Sequence, residues 1–404
     1  MKFSKTSQLA LVSAIGLAAA SLLAGCQLVT IDYVFVASSG GTGTGSAGEI
    51  ETYAADSQSG ALRPINKPVS SGGPNPVAMA TTSNYYSLYV ANQGNNSVVH
   101  FGVADTGVIS PLDTVNTAQP PVALAVNQAN TYLYVVTGTT SATLTEYPLD
   151  THGKMGAATA QIAMSLPSNP GDTILPTGVT VLPNNSGVYV SAYDQSAYNP
   201  NGTVTSIANP GWVFGFTVGS GGALTATGNS PYRAGVKPSS IAPDPTGRFI
   251  YASDFASNQL VGYQVQTNGA LNFMLNGPFR TGNEPVSVAV DARGIYIYLA
   301  NSLDNSLSAY TINLPTGTPS AVVNTTSSAP YTTDTQPVAL ALDPALGRFI
   351  YTANYLGNSI SGFRLDPNSG ALTATQATPY PTGNHPAALA VVPHGNHATQ
   401  SVTP

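Results

Sequence analysis

The chain says nearly the same thing several times, on a fixed phase. Residues 337–354 read PVALALDPALGRFIYTAN, and residues 285–301 read PVSVAVDARGIYIYLAN. A proline anchors each copy, at Pro76, Pro121, Pro176, Pro238, Pro285 and Pro337. Thirteen residues after the first five lie Tyr89, Tyr134, Tyr189, Tyr251 and Tyr298; after Pro337 the aromatic is Tyr351, one place later because the turn DPALGR is longer. Two fragments are left over. PAALAVV, opened by Pro386, has no aromatic after it, and YVFVAS (33–38) has no proline before it.

Anchors spaced 45 to 62 residues apart point to stacked supersecondary units such as propeller blades. The pattern inside the unit excludes helical repeats. Two residues past each proline the side chain is small: Ala78, Ala123, Gly178, Ser240, Ser287, Ala339 and Ala388. Three past it is large and apolar: Met79, Leu124, Val179, Ile241, Val288, Leu340 and Leu389. Alternation with period two is a strand. A second strand carries the aromatic, and a third follows, as in SVVHFGV (97–103) and QLVGYQV (259–265). A fourth comes after a TG or GAL turn.

Four strands in each of seven units predict an all-β, seven-bladed β-propeller over residues 33–393. A lone blade buries neither face, so the blades must stack. The two fragments then complete one blade. The C-terminal PAALAVV supplies the inner strand beside YVFVAS, which closes the ring and removes an open sheet edge. Composition agrees. With 40 glycines, 31 prolines and 7% charged residues, the chain is unsuited both to a helical bundle and to a solvated disordered coil.

The first 26 residues, MKFSKTSQLALVSAIGLAAASLLAGC, place Lys2 and Lys5 before an apolar run that ends in small residues. This is the form of a secretory signal. Leu23-Ala24-Gly25-Cys26 resembles a bacterial lipobox, and Cys26 is the chain's single cysteine. The expectation is a signal peptide over residues 1–25, lipidation at Cys26, a tether over 26–32 and a disordered tail over 394–404. Acyl chains on Cys26 would hold the protein to a membrane of the cell envelope. Gln27, in place of an aspartate, favours the outer membrane. Net charge is −6, or −8 without the leader, and no dense Lys/Arg run exists, so phosphate neutralisation has little to work with and no nucleic-acid partner is expected. The chain is expected to be a monomer.

The motifs that could carry chemistry lie in loops. DPTGR (244–248), DARG (291–294) and DPALGR (343–348) have the composition of tight turns. The next loops read NQGNNS (92–97), DFASN (254–258), NSLDNS (301–306) and NYLGNS (354–359). Their Asn and Asp side chains can bond the turn backbone. In a propeller, however, these loops share one mouth of the central channel with the residues before each proline. Asn92, Asp254, Asn301, Asn354 and Gln336 are therefore candidate ligand-binding residues. Lys237, Glu284 and His385, charged or titratable in a chain poor in charge, are candidates for catalysis together with Asp254. The loop 192–212, flanked by two tyrosines and the only tryptophan, could overhang this mouth. Gly43-Thr44-Gly45-Ser46-Ala47-Gly48 matches GxGxxG but has no following helix, so it is read as a hairpin insertion. The five histidines are scattered, and no cofactor or metal is expected.

PDPTGRFIYASD (243–254) and LDPALGRFIYTAN (342–354) resemble the YVTN-type repeat proteins and the seven-bladed propeller lactonases of the 6-phosphogluconolactonase type. The resemblance extends over nearly all of residues 33–393 and implies the propeller fold. In that family it also implies a site with a histidine pair and a Pro-Arg-His. Here the histidine positions read Lys237 and Ser239, the Arg-His positions read Val286 and Ser287, and the blade 7 arginine is Val338; Asp254 matches. The leading expectation is a binding module for a small molecule or protein, with a degenerate lactonase site. The alternative is a lactonase acting on a sugar lactone or related small ester, and a third is a structural scaffold.

Overall fold

The computed structural model describes residues 29–40, 47–198, 210–322 and 331–395. The signal segment with Cys26, most of the Gly43 to Gly48 run, the middle of the 192–212 loop and the end of the tail lie outside the described residues. The rest is all-β. Seven antiparallel sheets form, and the only helical pieces among the described residues are two 3-10 turns.

Blade 1 joins the chain ends. Its inner strand is Pro386–Pro393, followed outward by Thr30–Ser38, Glu49–Asp56 and Leu62–Pro64. Tyr33 pairs with Val392, Phe35 with Ala390 and Ala37 with Ala388, so the two leftover fragments meet in register as expected. His394 prolongs the pairing, its N–H donating to the Ile31 carbonyl at 2.8 Å. The inner strands of blades 2 to 7 are Pro76–Thr81, Pro121–Val126, Ile174–Val181, Pro238–Pro243, Pro285–Val290 and Pro337–Leu342. Each packs on the inner strand of the next blade, and blade 1 closes the ring between blades 7 and 2.

The fourth strand departs from the simple expectation. Blades 2 and 3 have one, but in blades 1 and 4 to 7 it is broken into two short pieces that both pair with the third strand. In blade 5 these are Leu271–Phe273 and Phe279–Arg280. The break carries a proline, Pro231, Pro278 or Pro379 in blades 4, 5 and 7, which cannot donate to a ladder.

The core is not one centre but a layer between each pair of blades. Five of the seven layers are sealed alike at the outer end, by a tyrosine hydroxyl bonded to a left-handed glycine in the outer hairpin of the following blade. Tyr189, Tyr251, Tyr298 and Tyr351 donate their hydroxyls to the carbonyls of Gly269, Gly317, Gly370 and Gly60, at 2.6 to 2.9 Å. Tyr89 does the same to Gly153. In three of these seams a second aromatic, two residues earlier, lies against the glycine. A Cβ at Gly60, Gly317 or Gly370 would come within 2.3 to 2.4 Å of Phe349, Phe249 or Tyr296. These glycines are thus required twice, by a φ of 68° to 75° and by the ring against them. Arg248 and Arg293 at the turn exits cross the same seams to the carbonyls of Leu314 and Pro367.

The turns between first and second strands are held by their aspartates. Asp244 accepts the Phe249 N–H, Asp291 those of Ile295 and Tyr296, and Asp343 those of Ala345, Leu346 and Arg348. One buried carboxyl has no such use. Asp32, at the ring-closing blade, is fully buried, and no N–H or O–H is directed at either oxygen. Burial first, and then the like charge of Asp343, raise its pKa well above the ordinary value. The folded state therefore holds a proton that the unfolded chain releases near pH ~4. Its contribution is complete below that pH and is lost as pH rises through the raised folded value. Asp32→Asn should flatten this loss. Urea unfolding of the two proteins across pH 4 to 9 should give curves that diverge in favour of the variant as pH rises, and parallel curves would contradict the assignment.

Candidate functional site

The mouth of the channel is built from the residue before each inner proline. Its carbonyl accepts an N–H from its own blade's loop: Phe255 to Lys237, Ser302 to Glu284 and Tyr355 to Gln336, at 2.8 to 2.9 Å. Its N–H, in three blades, donates back to an asparagine of the preceding blade. Glu284 is held by Asn258, Gln336 by Asn305 and His385 by Asn358, at 2.7 to 2.8 Å. Asn75, Glu284, Gln336 and His385 all adopt left-handed backbone, with φ of 52° to 59°. That conformation is unfavourable for Glu, Gln and His, by about 1 to 3 kcal/mol per residue. Five consecutive blades therefore present Lys237, Glu284, Gln336, His385 and Asn75 at one end of the channel.

Lys237 is the centre of this rim. Its ammonium lies 4.8 Å from the ring centre of Phe255, 5.2 Å from Tyr198 and 5.3 Å from Tyr193. Tyr193 and Tyr198 meet edge to face at 5.5 Å. Desolvation lowers the lysine pKa and the charge of Glu284 opposes that shift. The faces of three rings favour the cation. Across the mouth, His385 stacks on Tyr355 at 4.6 Å. The Gln336 side-chain oxygen is buried without a partner.

The loop asparagines and Asp254 are placed differently. Asp254 is fully buried, and its carboxylate accepts the N–H groups of Val236 and Lys237 at 2.8 Å and the Gln259 amide at 2.9 Å. It shapes the strap that carries Lys237. Asn92 bonds Ser71, Asn301 bonds Ser306 and Ser308, and Asn354 bonds Ser359 and Ser361. All four residues are no more than 1% exposed, so they offer a ligand no surface. The Asn and Asp pattern legible in the sequence thus positions the rim; the rim itself is made by the pre-proline residues.

The channel wall is plain. No inner strand carries a charged side chain. Each has a bulge just after its proline, where one residue is skipped in the pairing: Val77, Val122, Thr177, Ser239, Val286, Val338 and Ala387. Bulges re-aim side chains and recur beside active sites. Three of these residues, Ser239, Val286 and Val338, occupy positions where the family pattern has histidine or arginine. Ser239 spends its hydroxyl on the Pro285 carbonyl at 2.6 Å, and Ser287 accepts the Leu340 N–H at 3.3 Å.

A second polar cluster escaped the sequence, where His100 was one of several scattered histidines. Ser87, His100 and Asp113 lie in a row across blade 2. His100 Nε2 is 2.9 Å from the Ser87 hydroxyl and Nδ1 is 2.6 Å from Asp113 Oδ1. The spacing is that of a nucleophile, base and orienter. Access differs, because the blade 3 hairpin covers Ser87 so closely that a Cβ on Gly153 would reach its hydroxyl within 2.3 Å. Asp113 also accepts the Met155 N–H from that blade. The row is a clamp between strands and between blades. Placing His100 opposite Asp113, thirteen residues later on the next strand, was the available signal.

A closed seven-bladed ring with a polar mouth and inner strands free of charged side chains defines the protein as a β-propeller. The sequence matches the family described as Lactonase, 7-bladed beta-propeller, over residues 35–174 and 104–399, and the chain belongs to that family. The periplasmic gluconolactonase PpgL of Pseudomonas aeruginosa is similar in structure, with a TM-score of 0.72 at 17% identity, covering 91% of this chain and 100% of that one. A protein from Bacteroides uniformis named provisionally as a 6-phosphogluconolactonase has a TM-score of 0.71 at 17% identity, over 90% of this chain and 100% of its own. One so named from Bacteroides fragilis has 0.71 at 16%, over 91% and 99%. At such identities the likeness is one of fold. No curated protein matches in sequence.

If Asp254 serves the strap and not chemistry, Asp254→Ala should behave as a folding mutation. Three N–H groups would lose a buried charged acceptor, a loss on the order of 3 kcal/mol. Urea denaturation should register it, and an unchanged midpoint would refute the structural role.

Proposed function

We propose that this protein is a non-hydrolytic binding propeller of the cell envelope, held to a membrane through lipidated Cys26, whose mouth takes a small ligand between Lys237 and Glu284 on one side and His385 on the other. The observation that carries the reading is the ring of bulged residues after the inner prolines. Where a lactone hydrolase needs a base for water and a cation for the developing oxyanion, these positions hold Val, Thr, Ser and Ala. The one family-matched acid, Asp254, is occupied by three N–H groups of its own loops. What remains at the rim is recognition chemistry: an ammonium among aromatic rings, a carboxylate, and an imidazole stacked on a tyrosine.

Two measurements test the reading. Soluble protein lacking residues 1–26 is offered glucono-lactone and its 6-phospho derivative in a pH-stat. The expected result is no acid release above the spontaneous rate. Turnover that disappears in Lys237→Met or His385→Ala would replace the binding function by lactone hydrolysis, with Lys237, Glu284 and His385 as its charged groups. Separately, Cys26→Ser in the full chain should move the protein from the membrane to the soluble envelope fraction. A variant that stays membrane-bound would remove the lipid anchor from the proposal.

A further inference from the structure

Both ends of the described chain leave the ring on the face opposite the mouth. Thr30–Ser38 runs from that face to the mouth: Asp32 pairs with Pro393, and Ser38 with Pro386, the proline that follows the rim residue His385. At the mouth end the Ser39 N–H donates to the Asn384 carbonyl at 3.0 Å, and at the other end the His394 N–H donates to the Ile31 carbonyl at 2.8 Å. The ring holds the chain one step further out. The Val29 carbonyl accepts the Ser57 N–H, from the outer hairpin of blade 1, at 2.8 Å. Only Gln27 and Leu28 separate this fixed point from Cys26.

Two lengths decide what such a leash permits. The three Cα steps from Cys26 to Val29 span at most about 11 Å when fully extended. The nine residues of Thr30–Ser38 rise through about 26 Å between the two faces. A leash of less than half that height cannot swing the mouth onto a surface to which Cys26 is fixed. The face around the exit suits lipid headgroups. At its centre are the turns between first and second strands, whose carboxylates, Asp244, Asp291 and Asp343, are no more than 2% exposed. Arg248 and Arg348 are exposed at these turns. Tyr86, at the blade 2 turn, is exposed as well, and so is Val29. Tyrosine is at home at headgroup level, where one end of the ring is apolar and the other wet. The acids of the outer hairpins on this face, Asp56, Asp105, Asp150 and Asp366, stand further from the axis.

We propose that the face opposite the mouth is a membrane-docking surface, held on lipid headgroups by the short leash, so that Lys237, Glu284 and His385 are presented away from the bilayer and take their ligand from the aqueous side. This rests on the lipidation of Cys26 proposed above. It does not depend on what the mouth binds.

The chain's single cysteine supplies the test. In the lipidated protein Cys26 carries its acyl group, so a cysteine introduced elsewhere is the one free thiol. Tyr86→Cys places it on the docking face and Leu303→Cys in the 301–306 loop at the mouth, both at exposed positions. Each mature, lipidated protein is labelled with a fluorophore, reconstituted into phosphatidylcholine vesicles, and quenched by nitroxides carried on the lipid headgroups. The label at Tyr86→Cys should be quenched about threefold or more over that at Leu303→Cys, because the two faces stand ~26 Å apart. A spacer of about twenty Gly/Ser residues after Leu28, with a mean span of roughly 25 Å, should remove most of the contrast. Vesicle flotation separates the two ideas. A chain that does not float has no anchor, and the orientation falls with it. A chain that floats with equal quenching at both positions, or with more at Leu303→Cys, keeps its anchor and overturns the docking face. A contrast unmoved by the spacer overturns the leash as its cause.

Discussion

Everything in this molecule depends on the contact between one blade's second strand and the next blade's outer hairpin. Among the described residues the blades share no inter-sheet ladder. In three seams an aromatic is laid on a left-handed glycine while a tyrosine hydroxyl donates to that glycine's carbonyl, and two more seams keep the hydroxyl bond. The hydroxyl is buried, so its burial is tolerable only because the acceptor is there, and each bond contributes about 1 kcal/mol net. Seam 7→1 uses the same parts as seams 5→6 and 6→7, through Tyr351 and Gly60, in addition to the pairing of the chain ends. Burial raises the pKa of these tyrosines, Tyr251 and Tyr298 among them, so the donors stay protonated.

This contact explains why the fold was legible. The aromatic thirteen residues after each proline and the TG or GAL glycine recur because each is half of a seam, and a repeat that must stack on itself cannot let either drift. The site was legible only in part, for a physical reason. Asn92, Asp254, Asn301 and Asn354 are periodic, and periodicity follows structural duty: they hold loops and are sealed. Lys237, Glu284, Gln336 and His385 share a place before the proline but no chemistry, so the sequence marks their position without marking their role. The left-handed backbone and the bulge that set the rim apart from the wall are three-dimensional features with no residue signature of their own. The row of Ser87, His100 and Asp113 was missed for the converse reason: it occurs in a single blade, so the repeat does not mark it, and only the pairing of His100 with Asp113 points to it.

The same distinction separates this chain from what its family membership would suggest. The fold is held by the positions that repeat, and those agree with the family. Hydrolysis would need particular groups at particular blades, and there the chain has Ser239, Val286, Ser287 and Val338, two of them serines already engaged between blades. The inner strands are uncharged, and Lys237, Glu284 and His385 gather at the rim. A ligand entering the channel would therefore exchange water for apolar surface along its length and find countercharges only at its end.

In blade 5 the outer edge and the mouth are joined through one carboxylate. Gln259, in the wall of a cleft at the outer edge, donates to Asp254, and the same carboxylate holds the N–H groups of Val236 and Lys237 at the mouth. Gly235 touches both regions: it lines the cleft, and a Cβ there would come within 2.0 Å of Asp254 Oδ2. The strap that carries Lys237 into its aromatic surroundings is thus anchored on a carboxylate whose third partner belongs to the cleft. Asp254 is a buried anchor that ties the strap before the inner strand to the third strand of its own blade.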